Sequence, residues 1–223
     1  MKIKPEKTMF DKRIIETNDG MQDKTFVQTY NSYAKFMRDE GWYEINSMLE
    51  TGITSGDILE LGSGPGLVGL EIAKRLSGSK LVGYEISQEM IKVAEMNAAE
   101  YGINAKYIHG NAMKMPFKDS SFDSVITNSS MHEWEDPIPI FNEMYRVLRL
   151  GGHYCITDLR RDVGQNKWNY VYNLTPENLR PSLTASLNAS YTKEEILELL
   201  FKSDLKNASV KYNFFTLCIY GHK

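Results

Sequence analysis

The chain has 223 residues, 42% hydrophobic and 25% charged, the mix of one globular domain with embellishments rather than of a disordered chain. Its 26 basic residues against 29 acidic ones leave a net charge of −3, which argues against a broadly basic nucleic-acid binder. No run approaches the roughly 18 apolar residues of a membrane span, and the opening stretch MKIKPEKTMFDKR lacks the apolar core of a signal peptide.

Residues 1–22 are polar and irregular and read as an arm or lid. Over residues 23–50, Phe26, Tyr30, Tyr33, Met37 and Ile45 fall at helical spacings, which predicts one or two amphipathic helices broken near Gly41. An alternation follows. DILEL (57–61) is a strand, a glycine turn comes next, and LVGLEIAKRL (67–76) is helical. KLVGYEI (80–86) is a second strand. Ser87 caps the helix that follows, and Gly102 ends it. AKYIHG (105–110) and SFDSVITNSS (121–130) are the third and fourth strands. PIFNEMYRVLRLGG (139–152) reads as a helix with a glycine stop, and HYCITDL (153–159) as the fifth strand. Strands alternating with helices imply crossover connections and a mostly parallel sheet. Residues 160–191 form a long polar and aromatic insertion. Thr192 to Glu195 has capping-box spacing and opens a helix. The runs ASVKYNF and FTLCIYG then read as two tightly joined strands, at least one of them antiparallel to the rest.

Cys155 and Cys218 each lie in an apolar run and read as buried, reduced thiols of a cytoplasmic protein. His109, His132, His153 and His222 show no ligand-type spacing with each other or with the cysteines, so no metal site is expected.

The sharpest local feature is ILELGSGPG (58–66), where the first strand turns into the first helix. Glycines there allow positive φ and let a ligand approach the main chain. In open α/β sheets, ligands bind beyond the carboxyl ends of the strands. Glu85 closes the second strand, 23 residues after Gly62, where a carboxylate can accept both hydroxyls of a ribose. Together they point to a nucleoside-containing cofactor. The dinucleotide pattern G-x-G-x-x-G started at Gly62 would put its third glycine at Leu67, which disfavours a nicotinamide-dependent oxidoreductase.

The in-register pattern, E-x-G-x-G-x-G from Glu60 to Gly66, resembles that of class I S-adenosylmethionine-dependent methyltransferases, specifically their small-molecule type 11 group. GNAMKMPFKDSSFDSVITNSSMHEWEDP (110–137) and RVLRLGGHYCITD (146–158) are similar to later motifs of that group, in the same order. The resemblance implies a Rossmann-like, doubly wound, seven-stranded, mostly parallel sheet with an antiparallel strand near the C-terminus. Residues 1–223 would form a single domain, with a lid at 1–50 and an acceptor cap at 160–191. It also implies S-adenosyl-L-methionine as cofactor and S-adenosyl-L-homocysteine as product. By analogy Gly62, Ser63, Gly64 and Gly66 lie against the methionine and ribose. Glu60 lies near the methionine amino group, and Glu85 holds the ribose hydroxyls. Asn111 and Ala112 lie at the adenine edge, with Ile86 and Met113 as walls for its faces. Asn128 and Ser129 lie near the sulfonium. Asn111 stands where many relatives carry aspartate, and its carbonyl can still accept from the adenine amino group.

Methyl transfer from a sulfonium is an in-line displacement, so the protein mainly aligns acceptor and methyl and excludes water. His132 and Glu133 follow the fourth strand, and His132 is the candidate catalytic base. Arg160 and Arg161 are candidate clamps for an anionic acceptor. Tyr30 and Tyr33 are candidate acceptor contacts from the lid. The expected acceptor is a small molecule, anionic or aromatic. The alternative is a noncatalytic cofactor-binding or partner-binding protein that keeps the fold.

Overall fold

A computed structural model describes residue 10, residues 12–16 and residues 20–223. In chain order the elements are α1 (Lys24–Asp39), α2 (Ile45–Leu49), β1 (Asp57–Leu61), α3 (Leu67–Arg75), β2 (Lys80–Glu85), α4 (Gln88–Tyr101), β3 (Ala105–His109), β4 (Phe122–Asn128), a 3-10 turn (Met131–Glu133), α5 (Pro137–Val147), β5 (Leu148–Leu159), α6 (Gln165–Leu174), a second 3-10 turn (Glu177–Leu179), α7 (Arg180–Ala189), α8 (Lys193–Phe201), β6 (Ser209–Tyr212) and β7 (Thr216–His222).

The seven strands form one sheet in the order β3-β2-β1-β4-β5-β7-β6. Pairing is parallel from β3 across to β5. β7 runs antiparallel to both β5 and β6, so it is the one reversed strand. This is the mixed sheet the alternation of elements predicts. Central β1 is buried on both faces, as a parallel strand covered by helices must be. Successive side chains point to opposite faces. Leu59 and Leu61 join Phe141, Met144, Ile196 and Leu200 under α5 and α8. Ile58 packs on the other face with Leu70, Ile72, Ala94 and Ala98 of α3 and α4.

Helix ends follow the chain's own signals. The Ser87 hydroxyl accepts from Met90 N at the start of α4, and Gly102 ends that helix at φ 65°. Thr192 and Glu195 make the reciprocal capping box of α8.

Two expectations change. The helix predicted over 139–152 stops at Val147, and the glycine-containing run after it is already strand. The reason lies in main-chain pairing: Ser120 N and Ser121 N donate to Arg146 O and Val147 O, and Leu148 pairs with Phe122. The insertion at 160–191 is not a loop but carries α6 and α7. Trp168 and Tyr172 of α6 turn inward onto Val163, Leu187 and Phe215, while Tyr170 stays exposed.

The N-terminal arm falls largely outside the described residues, at 1–9, 11 and 17–19. Its described part lies along α7. Phe10 meets Trp168 edge-on at 5.5 Å, Ile14 N donates to Asn188 O at 2.9 Å, and Arg13 lies 4.0 Å above the Tyr191 ring. Glu44, between α1 and α2, accepts from Asn213 Nδ2 and from Thr216 Oγ1 and so ties this region to the β6–β7 turn. Cys155 and Cys218 are buried free thiols with sulfurs 3.6 Å apart. No helix among the described residues is long and apolar enough to cross a membrane.

Candidate active site

The turn after β1 is shaped by three glycines in the left-handed region: Gly62 at φ 57°, Gly64 at φ 49° and Gly66 at φ 76°. Each has a different neighbourhood. A Cβ on Gly62 would run into Ser130 Oγ, and one on Gly66 would run into Tyr107 Oη. A Cβ on Gly64 would meet nothing within 4 Å. Gly64 therefore faces open space, which a ligand can use.

Glu85 braces this turn. Its Oε2 accepts from Gly64 N and its Oε1 from Ser87 N, both at 2.8 Å. Each carboxylate oxygen keeps a free lone pair for a further donor. Burial raises the Glu85 pKa, and the backbone N–H donors of Ser87, Gly64 and Ile86 work against that rise. Glu60, one strand residue before the turn, is more extreme. Oε1 accepts from Gly69 N at 2.9 Å, while Oε2 is buried with no partner. Burial lifts its pKa to about 8, the Gly69 N–H opposing and the Glu85 charge adding to it. Ser63 Oγ is also buried without a partner.

These groups open onto a cavity of about 460 Å³ beyond the strand ends. Of the expected cofactor residues, Glu60, Gly62, Ser63, Gly64, Glu85, Ile86, Asn111, Ala112, Met113, Asn128 and Ser129 line it, and Gly66 does not. Gly66 instead shapes the turn from below, against Tyr107. Asn111 Oδ1 already accepts from Met113 N at 2.9 Å, which leaves one lone pair for a ligand. Ser129 is held at φ 50° at the end of β4, and its N–H donates to Thr157 O. Thr157 Oγ1 donates to Asn128 Oδ1 at 2.8 Å. Glu60, Glu85, Glu133 and Glu135 all line the cavity, and among the described residues no lysine or arginine does.

The chemistry of this donor set fits S-adenosylmethionine. A buried carboxyl oxygen without a partner suits an ammonium group. A braced carboxylate suits ribose hydroxyls. An acid-lined cavity suits a ligand that carries a sulfonium.

A second cavity of about 440 Å³ adjoins the first. Tyr30, Tyr33, Met37, Trp42, Tyr43, Leu159, Val171, Leu174 and Phe215 give it an apolar and aromatic lining. Tyr30 and Tyr33 both belong to this lining, and Tyr33 Oη lies 3.4 Å from Thr175 Oγ1. His132 reaches the wall of this cavity but is 3% exposed. Asp158 accepts from its backbone N–H at 2.9 Å and engages Nδ1 at 2.7 Å. Burial opposes a charge on His132, but the Asp158 carboxylate outweighs it and raises the pKa to about 9. At neutral pH the ring is an imidazolium paired with Asp158, which does not suit a base. The arginines need a larger correction, because neither lines either cavity. Arg160 pairs with Asp162 at 2.7 Å and lies on the Tyr212 ring. Arg161 is 3% exposed and is spent on Glu195, Ser190 O and Phe10 O. Met21 and Tyr43, which line both cavities, carry no signal in the sequence, since they stand in irregular segments outside any motif.

Residues 59–156 match a family model described as a methyltransferase domain. Over this stretch the chain is similar to methyltransferases of the type 11 group. A demethylmenaquinone methyltransferase of Roseiflexus castenholzii is 27% identical over 152 residues, 66% of this chain and 63% of that protein. One of Listeria monocytogenes is 36% identical over 95 residues, 42% of this chain and 39% of its own length. The chain thus spans less than two thirds of the length of these curated relatives. Among solved structures, an S-adenosylmethionine-dependent methyltransferase fold from Methanococcus maripaludis superposes with a TM-score of 0.73 at 21% identity, covering 94% of this chain and 97% of that one. One from Aquifex aeolicus superposes with a TM-score of 0.67 at 16% identity, covering 90% and 98%.

Proposed function

We propose that this protein binds S-adenosyl-L-methionine in the first cavity and transfers its methyl group to a small, neutral, largely aromatic acceptor in the second, releasing S-adenosyl-L-homocysteine. The observation that carries this reading is the wall the two cavities share, which includes Tyr30, Tyr43, Asn128 and Ser129. A methyl group presented there faces an apolar chamber large enough for a small molecule. The bound cofactor supplies an activated methyl and its own leaving group. Glu85 and the glycine turn orient the nucleoside, Glu60 holds the methionine ammonium, and the aromatic lining excludes water and aligns the acceptor.

The neutral character follows from the lining. Arg160 and Arg161 are committed elsewhere, and no lysine or arginine among the described residues lines the second cavity. The relatives' printed name, demethylmenaquinone methyltransferase, agrees with an acceptor of this type in those proteins. Helices α1, α6 and α7 serve as the acceptor cap. The presence of the second cavity favours catalysis over the noncatalytic alternative, and the reduced thiols Cys155 and Cys218 fit a cytoplasmic setting.

Calorimetry tests the cofactor half. Glu85→Ala removes charge-assisted hydrogen bonds and is expected to weaken binding about 10–100-fold. Radiolabelled cofactor with a panel of small aromatic acceptors tests the other half, and label should reach a neutral member. Unchanged affinity in Glu85→Ala, or label passing only to anions, would overturn the reading.

A further inference from the structure

Among the described residues the two cavities meet at six: Met21, Tyr30, Tyr43, Asn128, Ser129 and Glu133. On the function proposed above, on which this inference rests, the cofactor methyl points through that junction, so its sulfonium lies against the same residues. Met21, Asn128 and Ser129 carry no titratable side chain. Burial drives the Tyr30 and Tyr43 phenols further up from their already high pKa values, so both stay neutral. Among the described residues Glu133 is therefore the one junction side chain able to hold a charge near neutrality. Its place is fixed by the 3-10 turn, in which Glu133 N donates to Ser130 O at 3.0 Å, Trp134 Nε1 donates to Ser130 Oγ at 3.1 Å and Asp158 clamps His132.

We propose that the Glu133 carboxylate is the counter-ion of the cofactor's sulfonium and makes the site prefer the charged methyl donor over its neutral thioether product.

The groups facing Glu133 come from several elements. Burial raises its pKa, and the His132 imidazolium on the same turn pulls it back. Glu16 of the N-terminal segment, Glu85 at the end of β2 and Asp158 on β5 push it up again, and Tyr30 of α1 faces it. The balance lies at about 7. An adjacent positive charge lowers a carboxyl pKa by about 1–3 units. By reciprocity the ionised carboxylate favours the sulfonium by about 10-fold or more over the protonated form. Once the acceptor bonds to the methyl carbon and the carbon–sulfur electrons stay on sulfur, the positive charge passes to the methylated acceptor, which is discharged by losing a proton to water, and the sulfur is left neutral. Glu133 then has no partner there, and the thioether leaves more readily.

The test is calorimetry of S-adenosylmethionine and S-adenosylhomocysteine on the wild type and on Glu133→Gln at pH 6 and pH 8. Glu60 and Glu85 meet parts common to both ligands, so the ratio of the two affinities cancels their titration. In the wild type the preference for S-adenosylmethionine should grow about 5–10-fold from pH 6 to pH 8, as Glu133 ionises. Glu133→Gln should lose about 10-fold in S-adenosylmethionine affinity at pH 8, keep its S-adenosylhomocysteine affinity, and flatten the ratio. Retained S-adenosylhomocysteine binding also shows that the variant is folded. If the variant cannot be recovered, the wild-type ratio decides alone. A ratio independent of pH, or equal losses for both ligands, overturns the proposal and leaves the cofactor assignment standing. Failure of both ligands to bind the wild type overturns the cofactor assignment itself, and this inference with it.

Discussion

Glu60 is a carboxyl group with one oxygen satisfied and one left without a partner in the interior. A buried group of this kind stays protonated until a cation arrives. With a pKa of about 8 in the free protein, Glu60 is neutral at pH 6.5. The ammonium of a bound methionine moiety lowers that value, so binding below pH 8 releases a proton and tightens as pH rises. Above about pH 8 the ligand's own α-amino group loses its proton, so the gain stops there. S-adenosylhomocysteine isolates the effect because it carries the ammonium and no sulfonium. Calorimetry at pH 6.5 in buffers of different ionisation enthalpy should show roughly one proton released per ligand bound, and Glu60→Gln should show none. Proton release unaltered by that substitution would remove Glu60 from the ammonium site. Glu60 and Glu85 are legible in the sequence because each closes a short apolar strand at a fixed distance from the glycines. Met21 and Tyr43 are not, because irregular chain brings them to the junction from outside any periodic element.

At the scale of elements, the β1–α3 turn separates two roles that look alike in sequence. Gly64 faces the ligand space, and Gly66 rests on the Tyr107 hydroxyl. Gly64→Ala should cost only the left-handed backbone penalty of about 1–2 kcal/mol, with its larger effect on cofactor affinity. Gly66→Ala should lose more stability, because its Cβ must also displace Tyr107 or Ala94. Tyr107→Phe should restore part of that loss, since the hydroxyl removed is buried without a partner. Urea midpoints of the three variants check this order, and equal midpoints for the two alanine variants would refute it. The insertion shows where element-level reading stops. α6 begins at Gly164 with no side-chain cap, and α7 begins at Arg180-Pro181 after a 3-10 turn. Without a cap or a clean apolar stripe, a sequence rich in Trp168, Tyr170 and Tyr172 reads as loop. The two helices are held by packing of Trp168 and Leu187 with Val163 and Phe215, which local pattern does not reveal.

Across the whole molecule, the alternation of strands and helices was enough to give the parallel half of the sheet, and the two closing runs gave its reversed end. The boundary between α5 and β5 was not, because it is set where Leu148 pairs with Phe122 of a strand more than twenty residues earlier. The arginine pair misleads for a similar reason: Arg161 meets Glu195 from α8, a partner that lies 34 residues away in sequence.

Glu44 joins two stretches far apart in the chain, the α1–α2 turn and the β6–β7 turn, and both border the second cavity. A single side chain thus makes one opening event of two. Amide hydrogens at 41–45 and 213–216 should exchange with solvent together, at rates below those of either turn alone. Glu44→Ala should speed exchange in both stretches by about 10-fold, the loss of one hydrogen-bonded charge, and leave β1 and β4 unaffected. Acceleration of only one stretch would show that the two open independently. Access to the second cavity is then expected to follow the joint opening of these two turns, which the same exchange rates measure.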